Sequence, residues 1–212
     1  MKKYNIENNS ATKEEWYVYQ YLLELMKEKY INKIEFQPKS FTLFKGEKRK
    51  FYSIKKLKTK NTIKYLKRKY LINPHIYTPD FKIYWNINKD IRKFTQNQNR
   101  KELDKNIPFL ITLELSTIKK EILQVSYLEV KANFDQNNMT RMFTSHIQPL
   151  IWDKYEIYIQ LIKPISLFKD TFIPKLLLSD LFYLKSGKWG KKGDKKFKWN
   201  YRNLKQFYQI KN

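Results

Sequence analysis

Two short segments carry side chains whose types and spacing suit one reaction. Tyr77-Thr78-Pro79-Asp80 runs into the apolar stretch Phe81-Lys82-Ile83-Tyr84-Trp85, and Tyr127-Leu128-Glu129-Val130-Lys131 closes a second apolar stretch. On a strand, Glu129 and Lys131 project to one face while Leu128 and Val130 project to the other. Two carboxylates offer hard oxygen donors for Mg²⁺, with Mn²⁺ as a substitute. Such a cation lowers the pKa of a bound water and neutralises charge that builds on a phosphoryl group. An ammonium beside it stabilises the same developing charge. The combination suits hydrolysis of a phosphodiester. The plainer alternative is an acid following a turn proline, plus a structural ion pair between Glu129 and Lys131. A Glu-x-Lys triplet decides little alone, since about two are expected from composition by chance. Its position decides more, because charges at the end of a buried strand need partners or a metal.

The surrounding charge points the same way. The 212 residues include 44 Lys and Arg against 20 Asp and Glu, a net charge of +24, with a pI near 9.9. That is the electrostatic footprint of a nucleic-acid partner. An anionic membrane surface is the competing reading, but no basic amphipathic helix with a clean apolar face stands out. Two tracts concentrate the cations. Residues 48–69 hold eleven Lys or Arg and no acid; residues 185–198 hold seven Lys and one Asp. Candidate DNA contacts are Lys48, Arg49, Lys50, Lys55, Lys56, Lys67, Arg68 and Lys69 in the first tract. In the second they are Lys188, Lys191, Lys192, Lys195 and Lys196. Solvated arms are the alternative for both. Cysteine is absent, which excludes disulfides, thiolate zinc sites and a cysteine nucleophile. His75 and His146 cannot alone build a histidine-rich metal site. Gly187, Gly190 and Gly193 neither follow a clear strand nor open a clear helix, so no small-molecule cofactor is expected. There is no apolar run of 18 residues and the first ten residues are polar, so a cytoplasmic protein is expected.

The positioning elements are partly legible. Thr12 and Glu15 have capping-box spacing. They predict a helix with an apolar stripe of Trp16, Tyr19, Leu22, Leu23 and Met26, ending between Lys29 and Asn32. Glu14 lines up with Val18, Tyr21 and Leu25, so spacing does not choose between Glu14 and Glu15 as an inward acid. An extended segment is expected over 34–44, interrupted at Pro38. A turn is expected at Lys45-Gly46-Glu47 and a short helix over 62–68. Residues 76–87 should form a strand with Phe81, Ile83, Trp85 and Ile87 on one face. A polar loop is expected over 86–106, strands over 109–115 and 122–131, a helix over 135–147 stopping before Pro149, and a strand over 155–162. A last helix is expected over 176–184.

The order of these motifs resembles the PD-(D/E)XK nuclease superfamily, closest to a phage-encoded endonuclease branch. The matching residues are Thr12-Lys13-Glu14-Glu15, Gln37-Pro38-Lys39-Ser40-Phe41-Thr42-Leu43, Tyr77-Thr78-Pro79-Asp80-Phe81 and Glu129-Val130-Lys131. Ala132 departs from the glycine usual after the last motif. The resemblance spans roughly residues 12–44, 76–87 and 121–162. It implies an α/β restriction-endonuclease-like core, a central mixed β-sheet flanked by helices. That core would occupy residues 1–165, with a basic insertion at 48–70 and a second insertion at 88–120. A basic C-terminal extension would follow over 166–212. It implies Asp80, Glu129 and the Val130 carbonyl as metal ligands, and Lys131 as the group that orients or deprotonates the water. Glu15 would support the metal from the helix, and Gln37 would position the phosphate or a ligand; for Gln37 a structural role is the alternative. The expectation is a Mg²⁺-dependent DNA endonuclease acting on duplex or branched DNA in recombination, junction resolution, packaging or degradation. Many such enzymes act as homodimers, and no dimer interface is legible here. The alternatives are a non-catalytic basic nucleic-acid-binding protein, of a kind that can be associated with virions, and a transposase-like end-cleaving subunit.

Overall fold

The structure, a computed structural model, describes residues 4–7, 9–56, 59, 62–105, 107–116, 120–132, 138–179 and 202–209. The chain divides into two compact units, residues 1–38 with 79–212, and residues 39–78. In the first unit a small hairpin, β1 (Tyr4–Ile6) with β2 (Asn9–Ala11), leads into helix α1 (Lys13–Lys27). The capping box forms as the sequence predicts: the Glu15 amide donates to the Thr12 hydroxyl at 3.2 Å, and the Thr12 amide donates to Glu15 Oε2 at 2.7 Å. The buried side of α1 is Tyr17, Val18, Tyr21, Leu22 and Leu25. Trp16, Tyr19, Leu23 and Met26 are only its margin. The apolar arc is too wide for periodicity to locate its centre. The helix stops earlier than expected, because Lys29 adopts a left-handed conformation (φ 62°) and β3 (Ile31–Phe36) begins at once.

The second unit follows. It contains β4 (Phe41–Phe44), β5 (Glu47–Lys56), β6 (Thr62–Ile72) and β7 (His75–Tyr77). β4 pairs with β7 and β5 with β6, both antiparallel. The expected continuous segment 34–44 is therefore two strands in different sheets, broken where Gln37 turns left-handed (φ 49°) before Pro38. Residues 62–68 are strand, not helix. Thr62, Ile63 and Tyr65 favour a pleated surface, and β5 supplies a matching partner over ten residue pairs. The turn at Gly46 forms as read. Its φ is +82°, and an added Cβ would lie 2.8 Å from the Pro74 nitrogen.

The first unit resumes with β8 (Phe81–Trp85), β9 (Thr95–Asn97), β10 (Phe109–Leu115) and β11 (Ile122–Val130). These join β3 in the order β3-β8-β11-β10-β9, and β12 (Ile159–Ile162) also pairs with β11. The sheet is mixed: β9 and β12 run parallel to their neighbours and the other pairs are antiparallel. It forks on one edge of β11. Residues 122–125 pair with β10, and residues 127–130 pair with β12. Ser126 sits at the fork, buried, accepting from Trp85 Nε1 at 2.8 Å and donating to the Leu110 carbonyl at 2.7 Å. Ser126→Ala leaves the buried Trp85 indole N–H and the part-buried Leu110 carbonyl without that partner. We expect a loss of about 2 kcal/mol, or roughly 4–8 °C in Tm, readable by thermal denaturation.

Between β11 and β12 lie α2 (Met139–Met142), a π-helical turn (Phe143–Ile147) and α3 (Gln148–Tyr155). The helix thus runs past Pro149 instead of stopping before it, and residues 135–137 of its expected start lie outside the described residues. Pro149 occupies the first turn of α3, where its missing N–H is tolerated. The following strand accordingly starts at Ile159, not Tyr155. Ile87 leaves the predicted strand face and is 62% exposed. Asn86 turns the chain there, its side chain accepting from the Asn88 amide and donating to the Lys29 carbonyl.

Phe81, Ile83, Trp85, Leu128 and Val130 face α1 in the main apolar core. Helices α4 (Pro164–Asp170), α5 (Lys175–Ser179) and α6 (Leu204–Gln209) complete the described elements. Residues beyond 165 contribute to this core. Tyr21 stacks against Phe168 and Phe172, and Phe207 packs near Phe94. Ser179 ends α5, so the rest of the helix expected over 176–184 lies outside the described residues. No helix among the described residues is long and apolar enough to cross a membrane.

Candidate functional site

Asp80 is held from three sides at the mouth of β8. Its amide donates to the Leu128 carbonyl at 3.0 Å, and its carbonyl accepts from the Gln37 amide at 2.8 Å. Its carboxylate Oδ2 accepts from the Val130 amide at 2.6 Å. Leu128 also pairs with Phe81, so two consecutive residues of one strand meet one residue of the next. That is the arrangement of a β-bulge, a device that re-aims a side chain at the end of a ladder. Pro79 contributes by lacking an N–H that would continue the pairing.

Glu129 and Lys131 occupy the adjoining end of β11. Glu129 is 6% exposed, and Lys131 Nζ donates to its Oε1. Leu128 and Val130 enter the core on the opposite face, as alternation predicts. The Lys131 amide donates to the Ile162 carbonyl at 3.0 Å, which fixes this strand end against β12. A strand residue turns its N–H and C=O toward the same edge. The Val130 carbonyl therefore lies on the edge that its amide shares with Asp80.

Burial pushes the Asp80 carboxyl up to about 8. The negative charge of Glu129 adds to the rise, and that of Glu15 adds less; the Val130 amide and the Lys131 ammonium oppose it. Asp80, Glu129, Glu15 and Lys131 thus form one electrostatic cluster. Of the two α1 acids left open by spacing, Glu15 is the one whose charge acts on Asp80. Its capping role and its place beside the cluster coexist, because the cap engages Oε2. Gln37 reaches Asp80 through its main chain, and its side chain is exposed.

A hard cation fits the donor chemistry. Two neighbouring carboxylates, one forced to hold a proton by burial and by the other's charge, relieve that repulsion by sharing a divalent ion. Mg²⁺ commonly takes only one or two carboxylates and keeps several waters. Among the described residues no group of three or more His, Cys, Asp or Glu side chains is gathered as a metal cage. The fit therefore rests on Asp80 and Glu129, with the Val130 carbonyl beside them. Thiolate and imidazole sites do not arise.

A second polar group lies farther along the same strands. Lys82 pairs across the ladder with Tyr127 and Glu35 and donates to Glu114 Oε2 at 2.7 Å. The Tyr127 hydroxyl donates to Glu114 Oε1 at 2.8 Å. Burial alone would lower the Lys82 pKa, but the Glu114 carboxylate holds it above the usual lysine range. This group escaped the sequence because it depends on β10 lying beside β11. The one available signal was Lys82, two residues after Asp80.

All eight candidate DNA contacts of the first tract lie on β5 and β6 in the second unit. Lys188, Lys191, Lys192, Lys195 and Lys196 lie outside the described residues. Comparison of the chain with family models, curated proteins and solved structures finds no match.

Proposed function

We propose that this protein is a Mg²⁺-dependent DNA endonuclease of PD-(D/E)XK type. The observation that carries the reading is the meeting of Asp80 with the Glu129–Val130–Lys131 strand end at one end of the sheet, where the charges of Glu129 and, more weakly, Glu15 act on Asp80. Asp80 and Glu129 would hold the cation, with the Val130 carbonyl as a further oxygen ligand. The bound ion would supply Lewis acidity toward the phosphate and a water of lowered pKa. The protein's own residues divide the remaining work. The Val130 amide fixes the rotamer of Asp80. Lys131 neutralises Glu129 before the ion arrives, and its ammonium stands ready to orient the water and stabilise charge on the phosphoryl oxygens. Glu15 adds negative potential at the same spot. The net charge of +24 supports a polyanionic substrate. We assign DNA, as duplex or branched molecules, as that substrate. The test is cleavage of plasmid and four-way-junction DNA by the purified protein with Mg²⁺, Mn²⁺ or EDTA.

The raised Asp80 pKa adds a pH signature. Below about 8 the carboxyl holds a proton that a cation must displace. Metal affinity should therefore rise with pH by up to about tenfold per unit below that point, then level off. Calorimetric Mn²⁺ titrations at pH 7, in buffers of different ionisation enthalpy, should report release of close to one proton. Binding without proton release would contradict this assignment of Asp80.

A further inference from the structure

The β5–β6 ribbon has no buried face. Every residue of β6 is exposed, and in β5 only Glu47 and Ser53 are partly covered. Exposed apolar side chains include Tyr52 and Ile54, both at 69%, and Leu66 at 54%. A two-stranded hairpin without a packed face is marginal in water, and exposed apolar surface on this scale marks an interaction site. The charge identifies the partner. The ribbon carries nine Lys or Arg, and its one acid, Glu47, is ion-paired to Arg49 at 2.9 Å.

The register distributes these cations over both faces. Lys48, Lys50, Lys56, Lys64 and Arg68 share one face; Arg49, Lys55, Lys67 and Lys69 share the other. Lys48 lies over the Tyr70 ring and Lys64 over the Tyr52 ring, each at 4.6 Å, which holds both ammonium groups against the ribbon. A ribbon lying flat on a surface would need cations on one side only. Two basic faces fit a slot with two anionic walls.

Dimensions select the slot. Strands of 10 and 11 residues extend roughly 34–37 Å, about one turn of B-form DNA. With side chains on both faces a strand layer is about 10 Å thick. It fits a major groove about 12 Å wide and exceeds a minor groove about 6 Å wide. The major groove of duplex RNA is deep and too narrow for side chains to read. We infer that β5–β6 is a β-ribbon that inserts edge-on into the major groove of duplex DNA. Its two faces contact phosphates on opposite walls of that groove. The inference rests on the proposal that DNA is the substrate, and it is independent of whether the metal site cuts.

The test is fluorescence anisotropy of the full-length protein in EDTA, so that cleavage plays no part. The probes are a 24-bp DNA duplex, the same duplex with bulky 5-substituted pyrimidines filling the major groove, the matching RNA duplex and single-stranded DNA. One variant replaces the five cations of the first face with Gln, and a second replaces the four of the other face. Each variant should bind the DNA duplex at least about 100-fold more weakly near 100 mM salt. Each should also lower the log–log salt slope by about one per contact removed. Groove filling, single strands and duplex RNA should each cost wild type at least about tenfold. The probe comparisons use unaltered protein, so they hold even where a variant folds poorly. Unchanged affinity of either face variant would overturn the two-wall docking. So would equal binding of the groove-filled duplex, or tighter binding to vesicles of anionic phospholipid. Absence of cutting by a protein that passes these tests would sink the nuclease reading and leave the ribbon standing.

Discussion

Asp80→Asn and Glu129→Gln should each lower Mg²⁺-dependent DNA cleavage on the order of 10³-fold or more, while DNA affinity in EDTA stays within about threefold. Both substitutions keep side-chain volume and remove one anionic ligand. In Asp80→Asn the new amide oxygen can still accept from the Val130 amide, so the bulge at the mouth of β8 should persist. Cleavage falls because the cation loses an anionic ligand, and binding persists because the cationic ribbon is untouched. Glu15→Gln should cost less, about 10–100-fold, the range for groups that tune a metal site from outside its ligands.

Asp80→Asn carries a second expected result with opposite sign. The folded carboxyl sits at about 8 against an ordinary 3.8. Between those values the folded state holds a proton that the unfolded chain has released. Stability therefore falls as pH rises through that window. Full stability from this group is present below about 4 and is lost above about 8. The amide does not ionise, so Asp80→Asn should melt several degrees above wild type at pH 8.5 and close to it at pH 4. Added Mg²⁺ should raise the Tm of wild type at pH 8.5 and leave the variant unmoved. A substitution that abolishes activity while stabilising the fold marks a residue kept for chemistry.

Lys131→Ala should be the most damaging single change to stability at the site. The Glu129 side chain is 8% exposed and that of Lys131 23%. Removing the ammonium strips a buried carboxylate beside Asp80 of its cationic neighbour. Breaking a buried pair from one side costs about 3–5 kcal/mol, which corresponds to roughly 6–20 °C in Tm at this chain length. The double variant Glu129→Gln with Lys131→Met removes both charges and should recover most of that loss without recovering cleavage. Thermal melts of the three proteins at pH 8 separate the two roles of Lys131. An Ala variant as stable as wild type would mean that the pair is not closed in solution.

The site was more legible than the fold around it, for physical reasons. Strand alternation alone placed Leu128 and Val130 on one face and Glu129 with Lys131 on the other. The Thr12–Glu15 box was readable because a cap is local. The choice of Glu15 over Glu14 needed tertiary structure, since both lie on a wide apolar helix. Residues 62–68 read as helix because their cations obscured the alternation that β5 reveals by pairing. Pro149 read as a stop, although a preceding π turn lets the helix continue through it. The fork of β11 between β10 and β12, with Ser126 at its vertex, leaves no local trace. The bulge at Asp80 was foreshadowed only by Pro79.

The most direct measurement is incubation of supercoiled plasmid with excess wild-type protein at pH 8.5 and low salt, with and without Mg²⁺. Glu129→Gln protein from a parallel preparation serves as the control. The proposed metal site predicts nicked and linear DNA only with wild type and only in the presence of the cation. Intact plasmid with both Mg²⁺ and Mn²⁺, from a wild-type protein shown in the same tube to bind the DNA, would contradict it. Equal cutting by Glu129→Gln would contradict it as well.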